Sequence, residues 1–171
     1  MEISLLTPKC TLVPSNFFDP SRAKETLEGV APLAEGETVE FVAVPQYDAV
    51  LLYATGEDTA RIITDNNVSD GGKPLPEMYF LLRDLERCRE YNKILCSWQE
   101  GVLYLCIAQG RCLLLSNTFK AADFTTAQYY IFLAMKSLQL NPEVSSICWR
   151  SKLGAEEEMS LYRYFKSVDS L

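Results

Sequence analysis

Apolar and polar residues alternate most regularly along residues 92–119, NKILCSWQEGVLYLCIAQGRCLLLSNTF. Such alternation is typical of strands with a buried face, and glycine between two strand patterns supplies the positive φ of a tight hairpin turn. The stretch therefore predicts three antiparallel strands joined by two-residue turns at Glu100-Gly101 and Gln109-Gly110.

These turns fix which residues lie opposite each other across the strands. They pair Trp98 with Leu103 and Ile107 with Cys112. They also place Cys106 and Cys112 on opposite faces of the sheet, which argues against a disulfide between the two.

The segment after the third strand has helical periodicity. Asp123 is a favourable N-cap, and an apolar stripe runs along one face of a helix over residues 123–140. The alternation in the central strand places Leu103, Leu105 and Ile107 on one face. We expect the helix, or its neighbour, to cover these three side chains.

The remaining elements follow from shorter patterns. One helix is capped by Asp19 or Ser21 and ends at Gly29. Strand patterns cover four further stretches, 2–13, 38–45, 48–55 and 143–150. Helical patterns cover three more, 56–64, 77–91 and 154–168. The segment 65–76 is rich in turn-forming residues.

This order of strands and helices predicts an α/β fold with mixed sheets flanked by helices. The last six elements, βββαβα, match one lobe of a ribonuclease H-like or actin-like fold, in which an antiparallel meander is extended by parallel strands. We expect two lobes, a partial first lobe over residues 1–90 and a second over residues 91–171.

Four blocks of sequence resemble a known family: TLVPSNFFDPSRAKETLE, EFVAVPQYDAVLLYA, GVLYLCIAQGRCLLLSNTF and AQYYIFLAMKSLQLNP. The family is domain-of-unknown-function family 3822, a group of uncharacterised Bacteroidetes proteins. The resemblance covers most of the chain and implies an actin-like ATPase fold, distantly similar to actin-like proteins of cell division and pilus assembly. Family members extend further at the N-terminus, which implies that the first lobe is incomplete.

In actin-like ATPases the first turn of each lobe holds phosphate, with an aspartate that positions Mg²⁺ through water. The equivalent positions here read Ser97-Trp98-Gln99-Glu100-Gly101. Ser97, Gln99, Glu100 and Gly101 are therefore weak candidates for cofactor binding. However, the aspartate is absent, Trp98 is bulky, and the charge of Glu100 opposes phosphate. We expect this turn to carry neither phosphate nor Mg²⁺, so that Mg-ATP is a possible cofactor without a motif to support it.

The composition of the chain argues against several classes of partner and of catalytic site. The net charge is −7, which disfavours nucleic-acid and anionic-membrane partners because their phosphates repel an acidic chain. There is no histidine, which removes the Ser-His-Asp triad, the Cys-His pair and the usual neutral general base. We assign no catalytic residue.

The six cysteines include no C-x-x-C pair, and most lie in apolar strand patterns, so we expect free buried thiols and no structural zinc. The glutamates of GAEEEMS indicate a solvated helix start, and we assign no metal ligand. No secretory signal pattern is visible, which favours the cytoplasm.

Trp98 and Trp149 each lie near a strand end. Tryptophan concentrates binding energy at protein interfaces, so both are candidates for a partner surface, and core packing is the alternative. Two functional hypotheses follow. The first is a non-catalytic protein-binding or scaffolding module, with an unknown protein partner, that lacks the phosphate-loop aspartate. The second is a degenerate nucleotide-binding protein or weak ATPase.

Overall fold

The structure is a computed structural model that describes residues 2–56, 62–64 and 73–171, with the backbone alone for 62–64. The chain divides into two compact units, Met1–Arg83 and Asp84–Leu171. The sequence placed the corresponding boundary between residues 90 and 91. The described residues are mixed α/β, as predicted, and form three sheets.

The first unit contains two three-stranded sheets, in the orders β5-β1-β6 and β2-β4-β3. Its strands are β1 (Ile3–Leu5), β2 (Cys10–Pro14), β3 (Thr38–Val44), β4 (Ala49–Thr55), β5 (Ile62–Thr64) and β6 (Leu75–Pro76). Its helices are α1 (Ala23–Glu28) and α2 (Glu77–Asp84), which runs just past the boundary. The apolar run of β4 is buried along nearly its whole length because neighbouring strands cover both of its edges.

Two predictions need correction in this unit. The helix predicted over 56–64 is wrong at Ile62–Thr64, which forms an antiparallel strand with β1; the rest of that prediction beyond residue 56 lies outside the described residues. The helix predicted over 77–91 is shorter, because α2 ends at Asp84 and a single 3₁₀ turn, Leu85–Arg87, follows. The turn-rich segment lies outside the described residues from 65 to 72.

The second unit is built on one five-stranded sheet in the order β11-β10-β7-β8-β9. Its strands are β7 (Asn92–Gln99), β8 (Val102–Gln109), β9 (Cys112–Lys120), β10 (Ser146–Trp149) and β11 (Ser167–Ser170), and its helices are α3 (Phe124–Ser137) and α4 (Ala155–Tyr162). Strands β7, β8 and β9 form the predicted antiparallel meander. Strand β10 lies parallel to β7, and β11 lies parallel to β10.

One face of this sheet is buried by α3 and α4. Leu103, Leu105 and Ile107 are fully buried and share a core with Ile131 and Met135 of α3. The prediction that the helix after the meander covers these three residues is therefore confirmed. At about 25 cal/mol per Å² of apolar surface removed from water, such a cluster is the main source of stability for the unit.

The two hairpin turns differ from each other. The first is as predicted, with Glu100 and Gly101 both at positive φ and Trp98 opposite Leu103. The second is displaced by one residue, because Gln109 pairs with Cys112 and the turn is Gly110-Arg111. The displaced turn and an irregularity in the ladder between Ile107 and Ala108 together place Ile107 opposite Leu115, and the predicted pairing of Ile107 with Cys112 is wrong.

The final strand was missed by the sequence analysis. The helix predicted over 154–168 ends at Tyr162, and β11 follows. Within β11 only Val168 is apolar, so the sequence has no alternating pattern that would predict a strand there. The segment forms a strand because it pairs with β10, where Val168 lies opposite Ile147. No helix of the described residues has the length and apolar character needed to cross a membrane.

Candidate functional site

The candidate site is the end of β7, where the first hairpin turn begins. Strand β10 lies parallel to β7, and the pairing of Trp149 with Cys96 brings the carboxyl ends of both strands to the same edge of the sheet. In open α/β sheets, ligands bind outside the carboxyl ends of parallel strands, where the chain leaves in opposite directions. The five sequence-predicted positions, Ser97 to Gly101, lie at this edge.

The turn itself is tight and left-handed. Glu100 has φ 50° and Gly101 has φ 72°, the combination that a two-residue hairpin turn requires. The backbone N–H of Ala121 donates to the carbonyl oxygen of Gly101 at 2.8 Å, which ties the turn to the end of β9. The turn is therefore held by the two strands that it joins and by the residue that follows β9.

Trp98 uses both of its N–H groups within the protein. Its backbone N–H donates to Ser151 Oγ at 2.9 Å, and its indole Nε1–H donates to the carbonyl oxygen of Ala121 at 2.9 Å. The ring packs against Phe124, with 5.6 Å between ring centroids. Trp98 is thus half-buried and held against the start of α3.

Ser97, the position that the sequence analysis compared with the aspartate of actin-like ATPases, is fully buried. Its hydroxyl accepts a hydrogen bond from Gln99 Nε2 at 2.9 Å. A buried serine engaged by its neighbour supplies no charge toward a metal, and it leaves little room for one. Glu100, by contrast, is exposed at the tip of the turn.

The N-terminus of α3 lies beside this turn and is capped by the chain itself. Asp123 Oδ1 accepts a hydrogen bond from the backbone N–H of Thr126 at 2.7 Å. This hydrogen bond lowers the pKa of Asp123, because it stabilises the carboxylate. A helix N-terminus attracts anions, and here the anion is already present as a side chain.

Trp149 lies deeper in the same region. Its side chain is 1% exposed, and its ring is 5.9 Å from that of Phe124, so Phe124 contacts both indoles. Its Nε1 atom has no hydrogen-bond partner within the part of the chain that the structure describes. Its burial supports the alternative interpretation of core packing and leaves no exposed ring for a partner.

A small cleft of about 160 Å³ opens at the ends of β10 and β11. Polar groups of both signs line it, including Lys152, Glu158 and Asp169, together with Ser151 and Trp149. The described residues contain no group of three or more Cys, Asp or Glu side chains arranged to hold a metal ion.

The structure brings together residues that the sequence analysis did not connect. Ser151, Ala121 and Phe124 hold Trp98, and they come from two segments that are distant in the sequence, the residues after β10 and the connection from β9 to α3. Only the position of Ser151, two residues beyond the end of β10, offered a signal, since residues that follow parallel strands gather at one edge. The acceptor at Ala121 is a backbone carbonyl, which no residue type could have indicated.

Comparisons with known proteins agree with this architecture. Residues 2–168 match the family described as "Protein of unknown function (DUF3822)". The chain is also similar to a solved structure from Bacteroides thetaiotaomicron, described as a protein with actin-like ATPase fold and unknown function, with a TM-score of 0.74 and 15% identity. The similarity covers 97% of this chain and 66% of that one.

The low identity means that this likeness concerns the fold. No curated protein matches the chain. Because the family match spans nearly the whole sequence, and the solved structure with an actin-like ATPase fold aligns with 97% of this chain, the chain belongs to the DUF3822 family and has an actin-like ATPase fold.

Proposed function

We propose that the chain is a non-catalytic protein-binding module, built on an actin-like fold whose first turn takes no phosphate. The observation that carries this proposal is the set of contacts around Trp98. A phosphate cradle needs backbone N–H groups that point at the anion. The N–H of Trp98 instead points at Ser151, and its indole fills the space beside the turn.

The charge at the turn supports the same proposal. Hydrolysis of a nucleotide in this fold needs an acidic group to position Mg²⁺ and a small turn rich in free amides. Ser97 is neutral and fully buried, and the exposed carboxylate at the tip, Glu100, would meet bare phosphate with like charge. We therefore infer that the chain does not turn over ATP.

Protein binding is supported by exposed apolar side chains on the helices of the second unit. Tyr129 and Leu133 lie one turn apart on α3, with 59% and 46% of their surfaces exposed. Met159 and Tyr162 lie three residues apart on α4 and are 67% and 51% exposed. We call these four residues the helical apolar surface.

The two helices are neighbours, so their exposed side chains belong to one side of the sheet. Gln128 of α3 donates to Ser160 of α4 at 2.8 Å, and the rings of Phe132 and Tyr164 are 5.0 Å apart. Tyrosine and methionine are enriched in protein interfaces, where they supply large contact area. We propose that this surface receives an apolar segment of a protein partner.

A calorimetric titration with Mg-ATP tests the absence of nucleotide binding. We expect no saturable heat at micromolar nucleotide. A fitted Kd in the micromolar range that is lost in the Ser97→Ala/Glu100→Ala variant would contradict the proposal, because it would place the nucleotide at the turn.

Peptides selected from a phage-displayed library against the purified protein test the binding surface. We expect the selected peptides to lose at least about tenfold in affinity for Leu133→Ser and Tyr162→Ser, about 1.4 kcal/mol of binding energy. Phe17→Ser is the matched control, because Phe17 is 82% exposed but lies in the first unit. Peptides that bind all three variants equally would contradict the helical apolar surface as the partner site.

The second candidate function is a degenerate nucleotide-binding protein or weak ATPase. It rests on fold analogy alone, which is an associational argument. The same titration distinguishes it, since saturable binding of Mg-ATP would favour it. We further infer that the module is bacterial, supported by the Bacteroides origin of the similar structure. Its six free cysteines support the cytoplasm as its compartment, because disulfides are rare there.

A further inference from the structure

Two cysteine thiols from distant parts of the sequence meet on the second unit. Cys88 follows the 3₁₀ turn Leu85–Arg87, and Cys148 is the third residue of β10. Both are buried, with 2% and 4% of their surfaces exposed, both line one cleft, and a hydrogen bond between the two thiols is the largest cause of the pKa shift of each. This pair lies on the side of β10 opposite Trp149, because neighbouring strand residues point to opposite faces.

Although buried, the pair lines an open cleft. The cleft has a volume of about 410 Å³, and both cysteines contribute to its wall. Arg87 and Arg89 line it on one side, and Asp169 and the residues after it line it on the other. The two cysteines therefore line a cleft that a small molecule can enter, although little of either residue is exposed.

The surroundings make the two thiols unequal. The hydrogen bond from Cys88 lowers the pKa of Cys148, and the charge of Lys93 acts in the same direction, against burial and the carboxylates of Asp169 and Glu90. The same hydrogen bond, together with burial, raises the pKa of Cys88. This inequality is typical of dithiol sites in which one sulfur attacks and the other resolves.

We propose that Cys88 and Cys148 form a redox site, in which a peroxide oxidises the two thiols to an intramolecular disulfide. This site is separate from the turn that ends β7, and it does not depend on the proposed function.

The reaction balances with hydrogen peroxide as the oxidant. The Cys148 thiolate attacks one peroxide oxygen, the O–O bond breaks, and the departing hydroxide takes a proton to become water. The sulfur of Cys88 then attacks Cys148, an S–S bond forms, the S–O bond breaks, and the hydroxide leaves as water with the proton of Cys88. Two thiols lose two electrons in total, and the peroxide gains them.

The other four cysteines are not among the residues that line this cleft. Cys96 and Cys106 are fully buried, and burial raises the pKa of Cys96. Cys112 is exposed at the start of β9, and Cys10 belongs to the first unit. All six are thiols in the structure, so the dithiol form is the one described.

The test is a titration of the folded, reduced protein with hydrogen peroxide, followed by alkylation under denaturing conditions and peptide mapping without reductant. We expect the Cys112→Ser protein to lose two thiols and to become lighter by about 2 Da, with one cross-linked peptide that joins Cys88 to Cys148. The Cys112→Ser substitution removes the exposed cysteine, which could otherwise form a disulfide with a second copy of the protein.

Two variants in the same background separate the roles of the sulfurs. Cys88→Ser should leave a sulfenic acid on Cys148 that dimedone captures, whereas Cys148→Ser should leave Cys88 uncaptured. Retention of all the thiols at peroxide concentrations that oxidise Cys112 in the parent protein would overturn the proposal, and so would a disulfide between any other pair. If either variant fails to fold, the peptide map of the Cys112→Ser protein decides alone.

Discussion

The two tryptophans lie at the carboxyl ends of neighbouring parallel strands in the five-stranded sheet. Their positions in these strands are similar, but their surroundings in the fold are different. Trp98 is the last but one residue of β7, Trp149 is the last residue of β10, and both rings contact Phe124. Trp98 is half-buried and donates two hydrogen bonds, whereas Trp149 is fully buried and has no hydrogen-bond partner for its indole within the described residues.

The two tryptophans therefore have different roles. Trp149 contributes through the apolar surface that it buries in the core. Trp98 contributes through its two hydrogen bonds, which use both of its N–H donors within the protein. The same residue type is therefore part of the core at one strand end, and at the other, under the proposed function, it keeps the first turn closed to phosphate.

Trp149→Ala should give the largest effect. Removal of a fully buried indole leaves a cavity in the core, and we expect a loss of about 3–5 kcal/mol in the free energy of unfolding. Urea denaturation followed by circular dichroism measures it. Trp149→Phe is the control and should cost much less, because it keeps an aromatic ring and removes an N–H with no described partner. A loss below about 1 kcal/mol for the alanine variant would contradict the assignment of Trp149 to the core.

Trp98→Ala should have an intermediate effect. The ring is only half-buried, and its indole hydrogen bond contributes about 1 kcal/mol, so we expect a loss of about 2 kcal/mol in the free energy of unfolding. Trp98→Phe keeps an aromatic ring beside Phe124 and removes the donor with part of the ring system, so it should recover about half of that loss. A Trp98→Ala protein as stable as the parent would mean that the side chain does not close the turn.

Ser151→Ala should have the smallest effect on stability. It removes the side-chain acceptor for the backbone N–H of Trp98, and we expect a loss of about 0.5–1 kcal/mol. Lys152→Ala is the matched control, since Lys152 is the exposed next residue, and it should change the free energy of unfolding by less than about 0.5 kcal/mol. Equal losses in the two variants would show that the hydrogen bond from Trp98 to Ser151 contributes nothing measurable.

The sequence predicted what local patterns encode. The meander, the cap at Asp123 and the burial of Leu103, Leu105 and Ile107 all follow from alternation, helical periodicity and a favourable N-cap. These features depend on neighbours along the chain, and each pattern there agrees with the global fold.

Most of what the sequence did not predict depends on distant partners. Strand β11 forms because Val168 lies beside Ile147. The displaced second turn has a local cause instead, because Gly110 takes the first turn position, where a positive φ is needed. The strand end and the missing aspartate suggested a turn without phosphate, but the hydrogen bonds from Trp98 to Ser151 and Ala121 join segments that only the fold brings together.

The most direct measurement is a ¹⁵N–¹H correlation spectrum of the labelled protein during titration with Mg-ATP, with inorganic phosphate as a second ligand. The spectrum gives separate signals for the indole N–H of Trp98, the backbone N–H of Trp98 and the backbone N–H of Gly101. If the turn is closed, these three signals stay in place at millimolar ligand, and the Trp98 signals exchange slowly with solvent because both donors are hydrogen-bonded. Saturable shifts of all three signals, absent from the spectrum of the Ser97→Ala/Glu100→Ala variant, would show that the turn holds phosphate after all.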